Sequence, residues 1–212
     1  MNDFGAQYYE WHRDIGMDYL SHGCWQDSLA LMLWDAMQQE DYEHPLVVEI
    51  GCACGALVKS LKSVFRNAIG VDISEHMISL GRQKFGLSDK ELIAGSASNI
   101  DIPSGCASLV CSFVVLEHIP PDEIDAVLRE CHRVLVPGGR LFLCIEAIKR
   151  GETLESHMHD PTHYNMQPML YWGKKFQELG WVFDVESYDR YARSQHTFFQ
   201  QYRWSTWTLL KP

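Results

Sequence analysis

Basic residues are in short supply in this chain. Lys and Arg total 18 against 28 Asp and Glu, a formal charge of −10, and no basic block occurs anywhere. Phosphate backbones need clustered cations, so nucleic acid is not an expected partner. Long apolar runs are also missing, and none approaches the roughly 20 residues that span a bilayer. The opening stretch, Met1 to Glu10, is polar and aromatic. It lacks the basic-then-apolar order of a secretory leader, and the expected location is the cytoplasm. Repeats, low-complexity tracts and linkers are absent. Cysteine is present seven times, at Cys24, Cys52, Cys54, Cys106, Cys111, Cys131 and Cys144. The number is odd and several lie in strand-like stretches, which fits reduced, buried thiols rather than a disulfide framework. Cys52 and Cys54 have no second pair at zinc-finger spacing.

What is present alternates. Ala6 to Gln39 reads as two helices broken near Ser21-His22-Gly23, the second with apolar residues at helical spacing. Leu46 to Ile50 is a short apolar strand ending at Gly51. A helix (Ala56 to Phe65), a strand (Asn67 to Val71) and a helix capped by Ser74 follow. Glu91 to Ala94 and Leu109 to Val114 read as strands three and four. Pro121 opens a helix through Leu135, and Pro137-Gly138-Gly139 turns the chain into strand five, Arg140 to Ile145. After a His-rich polar stretch (Ala147 to Asn165) and a helix (Pro168 to Leu179), Trp181 to Ser187 and Trp204 to Leu210 read as closing strands. No helical pattern shows between those two. The expected fold is a Rossmann-like α/β domain: a mostly parallel seven-stranded sheet, helices on both faces and an antiparallel edge pair. Residues 1–44 form a helical cap, 45–146 the cofactor-binding core, and 147–212 the substrate-side loop, helix and closing strands.

Ligands of such sheets bind at the C-terminal ends of the strands, near the switch in strand order. The first strand ends in Glu49-Ile-Gly51-Cys52-Ala53-Cys54-Gly55, and Asp72 closes the second. Glycine permits a tight turn and close ligand approach, and an acidic side chain at the second strand accepts hydrogen bonds from a ribose diol. A dinucleotide fingerprint needs glycine at position 53. The acidic Glu49 before the turn suits a cationic cofactor better than a pyrophosphate.

The segments together resemble the class I S-adenosylmethionine-dependent methyltransferases, most closely the broad type 11 group. Val47 to Gly55 is similar to that family's first motif, and Gly70-Val-Asp-Ile-Ser74 with Met77 to its second. Gly95 to Pro103 resembles the segment around adenine, and Ser112-Phe-Val-Val-Leu-Glu-His-Ile119 the motif after strand four. Leu128 to Arg140 resembles the family's helix, turn and fifth strand. The resemblance implies S-adenosyl-L-methionine as cofactor. It implies contacts from Glu49, Gly51, Cys52, Ala53, Gly55, Asp72, Ile73, Met77, Ser96, Ala97 and Phe113. Three positions depart from the family pattern: Ala53 for glycine, Ser96 for an acidic residue and Ser108 for a frequent Asp.

Two further regions suggest chemistry. Ser21-His-Gly-Cys-Trp25 resembles a cofactor-covering segment of tocopherol- and sterol-type methyltransferases, and Tyr8, Tyr9 and Trp11 are placed to close the same pocket. Asp160-Pro-Thr-His163 resembles a stretch of bacterial small-molecule and sugar methyltransferases. His163 is the first candidate base, His159 the second, and His118 a competitor from the strand-four motif. A histidine near its ordinary pKa of about 6.5 suits proton removal at neutral pH. His157, His159, Asp160 and His163 also offer ligands for a divalent ion, although no metal site is assigned. The expected reaction is O-methylation of a hydroxyl on a small molecule. N-methylation of an amine and a non-catalytic binding subunit are the alternatives.

Overall fold

A computed structural model describes residues 4–14, 18–37, 46–148, 160–193 and 203–212. Two N-terminal helices, α1 (Ala6–Asp14) and α2 (Cys24–Met37), precede strand β1 (Leu46–Ile50). Then come α3 (Ala56–Phe65), β2 (Asn67–Asp72), α4 (Glu75–Phe85), β3 (Leu92–Ala94), β4 (Ala107–Phe113), α5 (Ile124–Val134) and β5 (Leu135–Cys144). The chain closes with α6 (Met169–Glu178), β6 (Val182–Phe183), α7 (Val185–Arg193) and β7 (Thr206–Leu210). The sheet order is β3-β2-β1-β4-β5-β7-β6. Strands β1 to β5 pair in parallel, while β7 runs antiparallel to both β5 and β6.

The two-residue period of a strand sorts its side chains onto two apolar layers. Val47, Leu109, Cys111, Phe142 and Cys144 face a layer containing residues of α2, α3 and α7. Val48, Ile50, Val110, Leu141 and Leu143 face α5 and α6, where Trp172 and Phe176 stack. Burial on both faces explains why these strands read as unbroken apolar runs.

The switch in strand order lies between β1 and β4. The chain winds outward from β1 through β2 to β3, then crosses back to β4. The β1–α3 loop takes left-handed backbone at Gly51 (φ 70°), Ala53 (φ 47°) and Gly55 (φ 77°). A Cβ on Gly81 of α4 would come within 1.9 Å of the Cys54 carbonyl oxygen, so α4 packs directly against this loop. Ser74 caps α4, accepting from the Met77 N–H at 3.3 Å, as its sequence position predicts.

Two expected boundaries are corrected. Pro137-Gly138-Gly139 lies within β5 as a bulge rather than before it. Leu135 pairs with Ala107 and Arg140 with Leu109, the extra residues looping out through Gly138 at φ 77°. The expected strand Trp181 to Ser187 is also too long: only Val182–Phe183 pair, and Val185–Arg193 form a helix. The alternation Val182-Phe-Asp-Val185 imitates a strand. The deciding features are tertiary, with Ser187 and Tyr191 buried one helical turn apart and Asp184 fixed by Arg140.

That last contact fastens α7 to the sheet. Arg140 Nε donates to Asp184 Oδ2 at 2.6 Å and to Ser187 Oγ at 2.9 Å, with both charged side chains buried. Burial opposes the Asp184 charge, but Ser187 and Arg140 hold its carboxyl below the ordinary value. Asp184→Ala takes the carboxylate away from a buried guanidinium and is expected to lower stability by about 3–5 kcal/mol in urea denaturation at neutral pH. A folded pKa below the unfolded one gives stability that is complete above about pH 4 and lost as pH falls through the folded value. The wild-type advantage over Asp184→Ala should therefore shrink in acid; an unchanged gap at pH 3 counts against the pairing.

Candidate active site

The loops at the switch point enclose a cleft of about 910 Å³, part of it open to solvent. Gly51, Ala53, Asp72, Ile73, Ser96 and Ala97 line it, with Val114, Val115 and His118 beyond β4. A second cleft shares Gly51, Ala53 and Tyr19 with the first, and Glu49, Cys52 and Phe113 line its wall. Nine of the eleven predicted cofactor residues thus face one or both clefts. Gly55 and Met77 line neither cleft. Gly55 supplies the left-handed entry to α3, and a Cβ there would collide with Leu92. Met77 is buried under the cleft floor with Cys54 and Ala56.

Asp72 organises the floor. Its Oδ2 accepts from the Ala53 N–H at 2.7 Å, and its Oδ1 from the Ser74 N–H at 2.8 Å. Each oxygen keeps a second lone pair. Ala53 tolerates the left-handed turn because that amide bond over-determines its backbone, at a cost of roughly 1–2 kcal/mol against glycine. Val114, β-branched, also sits at positive φ (57°) where β4 meets the cleft. Its N–H donates to the Cys144 carbonyl at 2.8 Å, which holds it there.

Glu49 lies close to Asp72 and is buried, with Oε2 unpartnered. Burial and the Asp72 charge push its carboxyl up to about 8. Burial raises the Asp72 carboxyl too, against the pull of its two N–H donors. Neither cleft has a Lys or Arg among its lining residues. A buried acidic pair with no basic side chain beside it disfavours an anionic pyrophosphate and favours a cation, which would draw Glu49 into its ionised form. S-adenosylmethionine, with a sulfonium and an ammonium group, fits this electrostatic demand. Above Gly95 the cleft is open, with nothing within 4 Å of where a Cβ would stand. The Ser96 hydroxyl is engaged with Ser98 at 2.8 Å at the same rim.

The N-terminal segment covers the cleft. Phe4, Tyr8, Tyr9 and Tyr19 line it. Ser74 Oγ donates to the Phe4 carbonyl at 2.7 Å, and the Cys54 thiol to the Tyr19 carbonyl at 2.6 Å. His22 Nε2 lies 2.9 Å from Ser60 Oγ, which donates to Asp27 Oδ1, tying the turn before α2 to α3. Trp25 borders the second cleft, whereas Trp11 is absent from both linings. Phe4 and Tyr19 are cleft residues that the sequence reading passed over. Their signal was available: both belong to the aromatic cluster around Tyr8 and Tyr9.

The far end of the cleft holds the histidines. His118 follows β4 in a single 3-10 turn, Leu116–His118. Its Nδ1 is 2.8 Å from Thr162 Oγ1, and that hydroxyl donates to Asp160 Oδ1 at 2.6 Å. Thr162 has one hydroxyl proton, and it is given to Asp160. The Nδ1 of His118 therefore carries the donated proton, and Nε2 is left with a free lone pair. Burial, with the neighbouring His163, pulls the His118 pKa down to about 4. His163 stands behind it, ring centroids 4.6 Å apart, with a buried and unpartnered Nδ1. His159, like His157, lies outside the described residues. Tyr8 Oη donates to Asp160 Oδ2 at 3.3 Å, and His12 Nε2 lies 3.3 Å from the same oxygen. Glu117 was not singled out by the sequence reading. It is fully buried beside His118.

A parallel sheet with one antiparallel strand inserted before its last, and a cleft floored by an acidic residue at β2, defines the class I methyltransferase fold. Residues 48–143 match the family profile described as "Methyltransferase domain". Over these residues, a little under half of its length, the chain is similar to that methyltransferase family. The chain is 33% identical over 130 residues to a ubiquinone/menaquinone biosynthesis C-methyltransferase of Caulobacter sp. (strain K31), covering 60% of this chain and 49% of the relative. It is 30% identical over 118 residues to a demethylmenaquinone methyltransferase of Listeria welshimeri, covering 53% and 49% respectively. The chain thus spans about half the length of the curated relatives it matches. A SAM-dependent methyltransferase from Archaeoglobus fulgidus shares the fold at a TM-score of 0.62 and 19% identity, over 82% of this chain and 74% of that one.

Two measurements test the floor of the site. Asp72→Ala removes the acceptor and frees the two loops it braces. S-adenosylhomocysteine affinity is expected to fall at least about tenfold in calorimetric titration, one charged hydrogen bond being worth roughly 1.5–3 kcal/mol. Unchanged affinity removes Asp72 from the site. A bound cation also favours ionised Glu49, so S-adenosylmethionine affinity should rise with pH up to about 8. Binding below that pH should release a proton, seen as a buffer-dependent binding enthalpy. Glu49→Gln should abolish both effects; their persistence in the variant excludes Glu49 as the source.

Proposed function

We propose that this chain transfers a methyl group from S-adenosylmethionine to a hydroxyl of a small apolar or aromatic molecule. The observation that carries the reading is the His118–Thr162–Asp160 relay, which leaves the His118 Nε2 lone pair free in the cleft. When bound, S-adenosylmethionine supplies a methyl carbon made electrophilic by its sulfonium charge. A neutral hydroxyl is a weak nucleophile, and the histidine end of the cleft lowers the cost of removing its proton. Asp160 and Thr162 keep the His118 ring in one orientation and tautomer. Phe4, Tyr8, Tyr9, Val114 and Ile119 make the larger part of the walls apolar, which favours an apolar or aromatic acceptor. The aromatic cover of Phe4, Tyr8, Tyr9 and Tyr19 excludes water, which would compete for the methyl group.

The relatives named as quinone-biosynthesis C-methyltransferases favour a second reading, transfer to a ring carbon of a hydroquinone or phenol. Removing the phenolic proton makes the ring carbons nucleophilic, so the same histidine end serves either outcome. We place the enzyme in the cytoplasm, without a nucleic-acid partner. The negative charge and the six free cysteines among the described residues support that placement. No described helix is long and apolar enough to cross a membrane.

Incubation with S-adenosylmethionine and a panel of phenols, catechols and hydroquinones, read by mass spectrometry, tests the reading and separates O- from C-methyl products. With an accepted substrate, His118→Ala should lower kcat by about 10²-fold or more, within the range of positioned acid–base groups. S-adenosylhomocysteine affinity should stay near wild type. Full turnover in His118→Ala removes the histidine from the reaction.

A further inference from the structure

Glu117, His118 and His163 come together although they lie on two separate segments. Each offers one ligand atom, and the three atoms lie within 4.8 Å of one another. Glu117 is fully buried in the 3-10 turn that follows β4. Its Oε1 accepts from the Glu146 N–H at 3.1 Å, and Oε2 has no hydrogen-bond partner. His163 Nδ1 is also buried and unpartnered. Asn165, whose N–H donates to the Glu117 carbonyl at 2.9 Å, adds a third buried orphan, Oδ1. His118 has Nδ1 committed to Thr162, which leaves Nε2 as its ligand atom. Stranding one buried polar group costs roughly 1–3 kcal/mol, and here several are gathered at one point. No ion pair among the described residues reaches Glu117. The groups facing inward are a carboxylate oxygen and imidazole lone pairs, an electron-rich set that lacks a cation.

We propose that Glu117, His118 and His163 form a binding site for one divalent transition-metal ion at the acceptor end of the cleft. Two imidazole nitrogens and one carboxylate oxygen are a donor set for Zn²⁺, Mn²⁺ or Fe²⁺ rather than for Ca²⁺ or Mg²⁺, which prefer oxygen throughout. Metal–ligand distances of about 2.0–2.2 Å require the three atoms to close slightly from their present spacing, within reach of side-chain rotation. The outer contacts already resemble those of metal sites. The His118 ring is oriented through its other nitrogen by Thr162 and Asp160, and Glu117 by a backbone amide. Three protein ligands leave open positions, and the His118 edge of the site borders the cleft. An acceptor hydroxyl bound there would be acidified by the ion directly, and His118 would then assist proton removal as a ligand of the ion rather than as a free base. This role rests on the proposed acceptor end of the cleft, whereas metal binding itself does not.

The test uses the full chain, stripped by chelator and then titrated with Zn²⁺ against a competing chromophoric chelator, and separately with Co²⁺ by visible absorption. The expected result is one ion per chain, with Co²⁺ d–d bands. Glu117→Gln and His163→Gln should each weaken Zn²⁺ by about tenfold or more and remove the bands. His76→Ala, at an exposed position on α4, should change neither. Thermal melts confirm folding, and His163→Gln carries the test if the fully buried Glu117 does not tolerate substitution. Absence of stoichiometric binding, or binding indifferent to both variants, overturns the proposal. Methyl transfer is assayed in parallel on the stripped protein. Full turnover without metal overturns the ion's catalytic role while leaving methyl transfer intact; no turnover under any condition, with Zn²⁺ bound, defeats the methyl-transfer reading alone.

Discussion

Two backbone N–H groups, from the loop after β1 and the loop after β2, converge on the carboxylate of Asp72. The loop after β1 leaves the sheet through bonds from the Gly51 and Cys52 N–H groups to the Val71 carbonyl, and the carboxylate fixes both loops beyond that point. Without the carboxylate, Ala53 would have no partner to compensate its left-handed backbone. The start of α4 would lose the brace before its cap. From Ser74 the order passes on to the cover, since the same hydroxyl that caps α4 donates to the Phe4 carbonyl. One buried acidic side chain thus fixes the turn, the helix start and, at one remove, the lid. It does so while facing the cleft with lone pairs to spare.

The same placement sets the electrostatics. A buried carboxylate normally finds a cation, as Asp184 finds Arg140 in this chain. Glu49 and Asp72 have no such cation: burial raises both, and the neighbouring Asp72 charge raises Glu49 further. That arrangement is costly for the empty protein and is relieved when a positive ligand arrives. The contrast between the two acidic sites is a physical marker of function: compensated charge fastens the fold, and uncompensated charge waits for a ligand.

The part of the molecule that its sequence reveals is the part governed by local rules. Strand runs, the Ser74 cap and the turn between β1 and α3 follow from periodicity and from what a sharp backbone turn permits. The order and spacing of Glu49, Gly51, Ala53 and Asp72 mark the cleft floor in the same way. Long-range pairings defeat the same reasoning. Nothing in Val182-Phe-Asp-Val185 announces that two residues will pair and the rest coil. That outcome depends on Arg140, more than forty positions earlier in the chain. Met77 comes to the site only through the resemblance of its motif, and its side chain packs with Cys54 and Ala56, a contact no spacing announces.

Long-range pairing also explains why Glu117 went unread. In sequence it is one acidic residue in a short motif, and its neighbours Thr162 and His163 are some 45 positions away. Only the return of the chain after β5 brings the segments together, with Asn165 donating to the Glu117 carbonyl and Thr162 contacting His118. Asp160 then joins this end to the cover. One of its oxygens takes the Thr162 hydroxyl that orients His118, and the other takes the Tyr8 hydroxyl from α1. The orientation of the His118 ring and the seating of the lid therefore share a single carboxylate. Displacing α1 removes a donor from Asp160, exposes the aromatic wall and loosens the relay in one movement. The histidine is held in register when the cleft is covered, which is also when water is excluded from a bound sulfonium.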